Sequence, residues 1–414
     1  MKKIISIALM FTMLISTLVF TSCYIKTYEG KETEFVLNNE RDAYIFAYMY
    51  LSEECDVVIP SEYNGLPVTE IAPMVFWNSQ YLKSLTIPAT VTCVREYAFT
   101  GCKNLEKVIF EEGSQLITIG GCAFADCSSL KEIELPESLE MIEGAAFSGC
   151  TSLERIHIPK NVNAINCHFM ANSFEECTSL KSITLDEENQ TYTMEGNFIY
   201  EMKDGKKHIV LCVGGDEDGV LRIPKDIDSF YWGAFVTCKN VDTVYIHAGL
   251  DDVPKVESAK AYVVAEENPY FCSIDGVVYS KDKTELIYYP QSKGDKEFTI
   301  PSFVEKISDY AFYEVKYLEK VIMSEGVTHI GDSTFSCSNI RSVELSKSLE
   351  IIGSRAFYSC ELLEEIKYAG SNWDFNSVKR GAHWIALASK YPLFKMTCSN
   401  GNRYLWTGLM SRMV

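Results

Sequence analysis

Apolar and polar residues alternate in short runs that recur along the chain. In "LKEIELP", Ile133 and Leu135 alternate with Glu132 and Glu134, and "LKSLTIP" and "LERIHIP" repeat the pattern. A period of two residues predicts a β-strand with one buried face and one solvated face. The proline that follows ends the strand because it has no amide to donate to a ladder.

Each strand belongs to a unit of about 23 residues that is repeated. A repeat of this length predicts a solenoid, in which each coil buries its apolar side only against its neighbours. The strands of successive coils then form a parallel sheet. Each unit also contains a phenylalanine, here called its anchor, whose ring we expect to stack in the core at a tight corner. The anchors, usually preceded by Ala, lie 22 to 27 residues apart except across two long gaps; they are Phe76, Phe99, Phe124, Phe147, Phe174, Phe235, Phe312, Phe335 and Phe357.

The rhythm breaks in two related stretches and at both ends. Residues 189–224 and 268–301 each contain polar turns between apolar runs, which predicts a β-hairpin inserted in the array. An open solenoid end needs a cap. We therefore predict a solenoid over 51–368 with two hairpin insertions, an N-terminal linker or cap over 23–50 and a C-terminal capping segment over 369–414.

The repeat resembles the BspA-type leucine-rich-repeat family of bacterial surface proteins over roughly residues 50 to 400. The pieces that carry the resemblance are "VVIPSEYNGLPVTEIAPMVF", the Ala-Phe-x-x-Cys corners, "KYAG" followed by Trp373, and the closing "CSNG". The resemblance implies a curved right-handed solenoid with a parallel sheet on its concave face. It also implies an exported protein that binds at the cell surface, commonly to host proteins or to other cells.

The N-terminus has the layout of a bacterial export signal. Lys2 and Lys3 precede an apolar run that is short for a membrane span. "FTSC" resembles the lipoprotein cleavage box, although Phe20 stands where the box usually has Leu. We expect residues 1–22 to be removed and Cys23 to carry a lipid, which would anchor the protein in the cell envelope. Ordinary signal cleavage, with Cys23 an unmodified residue, is the alternative.

The net charge of −19 changes the expected partners. An acidic surface repels phosphate backbones, so nucleic acid is excluded as a first hypothesis. The 15 Cys of an exported chain suggest disulfides, but six of them occupy one repeated slot, three residues after the anchor. In that slot we interpret cysteine as a small buried apolar residue with a weak donor. Whether these thiols ever pair stays open.

The chain carries no recognisable catalytic, cofactor or metal motif. It has no H-E-x-x-H, C-x-x-C, G-x-S-x-G or Walker sequence. "CVGGDEDG" at 212–219 could form a calcium turn, but a solvated hairpin tip explains it better. The adjacent Cys167 and His168 lack the third group that orients a catalytic base. We therefore expect no enzyme activity, no cofactor and no metal.

The outward positions of the strands are the candidate binding face. They vary freely between coils, as expected for a specific surface or for unconstrained solvent positions, and the apolar members favour binding. The expected partner is a host matrix or cell-surface protein. The alternative is a glycan, recognised through Tyr231, Trp232 and Tyr245. The candidate face comprises Lys107, Ile109, Glu132, Glu134, Arg155, His157, Thr243, Tyr245, Lys320, Ile322 and Glu344.

Overall fold

The computed structural model describes residues 25–28, 31–165, 172–231, 233–385, 394–401, 403–407 and 410–413. Residues 1–22, which we expect to be an export signal, lie outside these residues, as do Cys23, Cys167, His168 and Trp232. Almost all of the regular structure is β-strand.

Eighteen strands precede residue 215. They are β1 (Ile25–Tyr28), β2 (Lys31–Leu37), β3 (Tyr44–Met49), β4 (Cys55–Val58), β5 (Glu62–Tyr63), β6 (Leu66–Ile71), β7 (Leu82–Ile87), β8 (Cys93–Val94), β9 (Lys107–Phe110), β10 (Thr118–Ile119), β11 (Glu132–Ile133), β12 (Met141–Ile142), β13 (Arg155–Ile158), β14 (Ala164–Ile165), β15 (Ser182–Leu185), β16 (Tyr192–Glu195), β17 (Phe198–Lys203) and β18 (Lys206–Cys212).

The later strands are β19 (Val220–Arg222), β20 (Ser229–Phe230), β21 (Thr243–Ile246), β22 (Ala261–Val264), β23 (Phe271–Ile274), β24 (Val277–Ser280), β25 (Glu285–Tyr288), β26 (Glu297–Ile300), β27 (Lys306–Ile307), β28 (Lys320–Met323), β29 (His329–Ile330), β30 (Ser342–Leu345), β31 (Ile351–Ile352), β32 (Glu365–Tyr368), β33 (Lys379–Arg380), β34 (Phe394–Cys398), β35 (Arg403–Thr407) and β36 (Met410–Met413). Among the residues that the structure describes, the one α-helix is α1 (Asn372–Ser377), which begins at a capping box between Ser371 and Asp374.

The chain forms two compact units, each a repeat β-solenoid. The first unit contains residues up to Gly214 and Asp226–Cys238, and the second contains Gly215–Lys225 and Lys239–Val414. In the first unit, strands β6, β8, β10, β12 and β14 form one parallel ladder. Strands β4-β7-β9 and β11-β13-β15 form two further parallel sheets. These confirm the fold class expected from the repeat.

The second unit repeats this arrangement. Strands β25, β27, β29, β31 and β33 form its parallel ladder of short strands. Strands β26, β28, β30, β32 and β34 form its longer parallel sheet, and β19-β21-β22 form a third sheet.

All of the expected anchor phenylalanines except Phe235 stack on one another; Phe235 instead makes a T-shaped contact with Phe230, with ring centroids 5.1 Å apart. In the first unit, neighbouring rings from Phe46 to Phe174 have centroids 5.1–5.9 Å apart. In the second, the stack from Tyr289 through Phe312 and Phe335 to Phe357 keeps a spacing of 5.0 Å. These rings are almost fully buried, so each coil's largest apolar group lies against the same group of its neighbours.

The corner backbone ties each coil to the next. The amide of Phe99 donates to the carbonyl of Ala123, and the amide of Phe124 donates to that of Ala146, both at 2.8 Å. A left-handed residue lies two positions before most anchors and another lies two positions after, as at Ala145 (φ 58°) and Gly149 (φ 73°) around Phe147. Outside glycine this conformation costs about 1–2 kcal/mol per residue. The bonds between coils offset that cost.

Both stretches expected to contain hairpins form three antiparallel strands. They are β16-β17-β18 in the first unit and β23-β24-β25 in the second. The third strand of each set pairs in parallel with a strand of the next coil, β18 with β20 and β25 with β27. At the chain ends, β1-β2-β3 and β34-β35-β36 are also antiparallel.

Some coils approach so closely that only glycine fits. A Cβ added at Gly353 would lie 2.5 Å from the amide nitrogen of Asp332 in the preceding coil. The obstacle is backbone, which cannot rotate away as a side chain would. Gly120 and Gly331 meet the backbone of the preceding coil in the same way.

We therefore expect Gly353→Ala to lower the stability of the protein by at least about 3 kcal/mol, because the new methyl group overpacks a rigid contact. Thermal unfolding followed by circular dichroism measures the change. Gly294→Ala is the matched control, since a Cβ there meets nothing within 4 Å, and we expect it to change stability by less than about 0.5 kcal/mol. Equal melting temperatures for the two variants would contradict the close approach.

Candidate binding face

The outward side chains of the longer parallel strands form a surface in each unit, which we call the strand face. Strand register aligns its residues into columns. In the first unit, Lys107 lies beside Ser84, and Ile109 lies beside Thr86. In the second, Ile322 lies between Thr299 and Glu344.

The strand face of the first unit is exposed. The side chains of Lys107, Glu132, Glu134, Arg155 and His157 are all classed as exposed, and Ile109 retains 38% of its accessible surface. The register places Glu132 beside Arg155 and His157 beside Thr184. Between them, inward residues such as Ile133 and Ile156 are buried.

The candidate residues of the second unit are only partly exposed. Thr243, Tyr245, Lys320, Ile322 and Glu344 are all of intermediate burial. The outward side chains there cover one another, and the interleaved Val244, Val321 and Val343 are fully buried.

Ion pairs link most charged members of the strand face. Arg155 Nη2 lies 2.6 Å from Glu132 Oε2 in the first unit. In the second unit, Lys320 Nζ lies 3.1 Å from Glu297 and 3.3 Å from Glu344, and Lys367 lies 3.4 Å from Glu344. The series continues from Glu365 to Lys395 at 3.3 Å. These exposed charges satisfy one another, so each contributes little to stability by itself.

A second series of charges lies at the start of most of the longer parallel strands, one residue before the strand except at Lys83, which is the second residue of β7, and sequence reasoning missed it. Its sign alternates from coil to coil. The amide of Glu106 donates to the carbonyl of Lys83, and the amide of Lys181 donates to that of Glu154. Lys181 and Glu154 also pair at 3.0 Å. The series is Lys83, Glu106, Lys131, Glu154 and Lys181 in the first unit and Lys296, Glu319, Arg341 and Glu364 in the second.

Two apolar residues of the strand face were also missed. Val58 retains 48% of its accessible surface and lies beside Thr86, in the column of Ile109. Val263 retains 45% and lies beside Tyr245. Their strands, β4 and β22, belong to coils without a complete anchor motif. An alignment made on strands instead of anchors would have found them.

The corner cysteines donate to the preceding coil. Cys102 Sγ lies 3.1 Å from the carbonyl oxygen of Phe76, Cys150 Sγ lies 3.2 Å from that of Phe124, and Cys360 Sγ lies 2.9 Å from that of Phe335. Burial raises the pKa of Cys102 and of Cys360 to about 12. Cys102, Cys127, Cys150 and Cys360 form no disulfide in the structure and are fully buried, which agrees with the interpretation as small buried residues.

We expect iodoacetamide at pH 8 to leave these buried thiols unmodified in the folded protein, because the thiolate is the reactive form and a raised pKa keeps it scarce. Peptide mass spectrometry should find Cys337, which is exposed, alkylated first. Cys102, Cys150 and Cys360 should react only after denaturation. Disulfide-linked corner peptides under non-reducing conditions, or rapid alkylation of the native corners, would contradict this.

The described residues assemble no metal centre. No group of three His, Cys, Asp or Glu side chains that could hold an ion occurs among them. In the acidic turn at residues 212–219, for which calcium binding was considered, Asp216 and Asp218 each form an ion pair with Arg222, both at 2.7 Å. Within the described part of the chain, no helix is long and apolar enough to cross a membrane.

Two of the three aromatic residues considered for glycan binding, Tyr231 and Tyr245, lie within the described residues. The hydroxyl of Tyr231 donates to Glu201, and its ring lies 5.8 Å from that of His208. Tyr231 and Tyr245 belong to different units and are each half-buried.

Parallel coils with one short and one longer strand, stacked anchor rings and variable outward columns define a leucine-rich-repeat protein. A family model described as a BspA type leucine rich repeat region matches residues 69–193 and 289–379, in six copies. The matched residues make up just over half of the chain, which therefore belongs to this family. The resemblance seen in the sequence is confirmed.

Solved structures of similar proteins come from several bacteria. The pneumococcal vaccine antigen PcpA is 21% identical, with a TM-score of 0.37 over 91% of this chain and 81% of that chain. A leucine rich cell surface protein from Faecalibacterium prausnitzii A2-165 is 22% identical, with a TM-score of 0.44 over 87% and 98%. A leucine-rich repeat protein from Bacteroides ovatus is 20% identical, with a TM-score of 0.39 over 88% and 90%. No curated protein matches this chain.

Proposed function

We propose that this chain is an exported, lipid-anchored protein of the bacterial cell surface that binds a protein partner through its strand face and catalyses no reaction. Membership of a leucine-rich-repeat family supports an interaction role. The partner would be a host matrix protein or a protein on another cell, as adhesion requires.

The observation that carries the proposal is the alignment of apolar side chains that are exposed, or partly exposed in the case of Tyr245. Val58 and Ile109 share one column, with only Thr86 between them. Tyr245 and Val263 lie side by side on neighbouring strands of the second unit. Apolar groups are costly to leave in solvent, and anchors of this kind supply most of the binding energy of an interface.

The paired charges contribute in a different way. Glu132, Arg155, Lys320 and Glu344 already satisfy one another. A partner that replaced these pairs would gain little net energy from each, because it must first break an existing contact. Such charges select among partners and guide their encounter, while the apolar side chains supply affinity.

The test is a pull-down with the ectodomain from Tyr24 onward, which lacks the proposed lipid attachment site, against host extracellular-matrix proteins and intact neighbouring cells. The face variant carries Ile109→Ser, Tyr245→Ser and Ile322→Ser. Removing three apolar groups should weaken capture at least about tenfold, which is a modest loss for anchor residues. Surface plasmon resonance with each captured partner measures the change.

A corner variant is the matched control. It carries Tyr317→Ser, Tyr358→Ser and Leu362→Ser, which are exposed apolar residues outside the strand face, and it should bind as the native protein does. If both variants bind normally, the strand face is not the site. If the native protein captures nothing, a glycan array comes next, and binding there would replace the protein-partner proposal.

The anchor is tested at Cys23. We expect Cys23→Ala to abolish metabolic labelling with a radioactive fatty acid, because the thiol that would carry the lipid is gone. Fractionation should then move the protein from the membrane pellet to the soluble fraction or the medium. Cys55→Ala is the control, since it lies beyond the lipoprotein box, and it should leave labelling unchanged. Labelling that persists in Cys23→Ala would overturn the lipid anchor.

A further inference from the structure

Among the described residues, strand β4, which is the first strand of the longer parallel sheets in the first unit, has one edge that no other strand pairs with. It is the terminal strand of the sheet β4-β7-β9. Within the part of the chain that the structure describes, β4 pairs only with β7, whereas β7 pairs on both sides.

The backbone of β4 shows which groups face outwards. The amides of Cys55 and Ile59 donate to the carbonyls of Tyr81 and Thr86, at 2.9 and 3.0 Å. Backbone groups alternate in direction along a strand, so the amide and carbonyl of Asp56 and of Val58 point away from β7. Among the described residues, no backbone hydrogen bond is made at either position besides the pairing with β7.

The surroundings of this edge are both apolar and acidic. Val58 lies on the strand, and the exposed Tyr50 precedes the strand in sequence. Glu53, Glu54 and Asp56 are exposed, and no ion pair involves them in the described part of the chain. The side chain of Asp56 accepts a hydrogen bond from Ser84 Oγ at 2.6 Å, which leaves its second oxygen available.

Exposed edges usually carry charges that prevent self-association. The three carboxylates do that here, because a second copy would bring its own acidic edge against them and both copies carry a net charge of −19. The same carboxylates attract a cationic strand. The edge therefore selects for one kind of occupant.

We propose that the edge of β4 accepts an extended cationic segment of a protein partner as an additional strand. Its backbone bonds to Asp56 and Val58, its basic side chains lie near Glu54 and Asp56, and an apolar side chain contacts Val58. Main-chain bonds supply affinity and alternate side chains supply specificity in binding of this kind. This site is separate from the anchor residues tested on the strand face.

The test uses a fluorescein-labelled peptide of alternating lysine and valine, with fluorescence anisotropy as the readout. We expect the native protein to bind it, and to bind a glutamate–valine peptide at least about tenfold more weakly because of charge repulsion. A lysine–valine peptide methylated at every backbone nitrogen should also lose binding. It keeps all of the side chains but has no main-chain donors.

Two variants isolate the edge itself. Val58→Pro removes the outward amide and should weaken binding at least about tenfold, as expected for loss of a backbone bond, whereas Val58→Thr keeps the amide and should bind within about threefold of the native affinity. If Val58→Pro does not fold, amide hydrogen exchange on the native protein, with and without peptide, is measured in place of binding by the variant. The amides of Asp56 and Val58 should then become protected only when peptide is present.

Four results would overturn the proposal. The first is that the native protein does not bind the peptide, and the second is that the methylated peptide binds equally well. The third is that Val58→Pro, in its folded form, binds equally well. The fourth is that the amides of Asp56 and Val58 are protected without peptide because the protein self-associates, as analytical ultracentrifugation would show. The face variant with Ile109→Ser, Tyr245→Ser and Ile322→Ser should still bind the peptide. If the face variant does not bind the peptide, the peptide binds at the strand face and not at the edge of β4. The face variant therefore distinguishes failure of this proposal from failure of the proposed function.

Discussion

The backbone bond between corners is the interaction on which the rest of each unit depends. When the amide of Phe99 donates to the carbonyl of Ala123, it fixes the height of one coil on the next. That height places the Phe99 and Phe124 rings 5.1 Å apart and brings Cys127 Sγ within 3.3 Å of the carbonyl of Phe99. No coil could bury its ring or satisfy its corner alone, so stability comes from contacts between neighbours.

The same register organises the surface. Because every coil has the same height, residues at equivalent positions become neighbours, and a sign change between coils becomes an ion pair. Lys320, between Glu297 and Glu344, is one result, and Lys181 with Glu154 is another. A shift by one coil would place like charges together, which is destabilising on a sheet. The charges thus favour the correct register, although each pair contributes little energy.

The repeat made the solenoid, the buried anchors and the outward columns predictable from sequence, because all three follow from the spacing of Phe, Cys and Ile. Three features did not follow. Left-handed residues such as Ala145 are not glycine, so residue type gives no signal for them. Residue 353 must be glycine because the backbone of the preceding coil lies too close for a Cβ atom, and the sequence does not give that distance. The exposure of Val58 depends on where the sheet ends, and spacing within a repeat carries no information about its terminal strand.

The position of a strand in its sheet, central or terminal, determines which of its groups a partner can contact. Within a sheet, the backbone of a central strand is bonded on both sides, so only its side chains can contact a partner, as Tyr245 on β21 is proposed to do. At the end of a sheet, backbone groups also become available, and Asp56 and Val58 offer them to any extended chain. Main-chain bonding does not discriminate by sequence, so selectivity must come from Glu53, Glu54 and Asp56. An acidic protein that repels its own copies can keep such an edge open without joining itself into fibres.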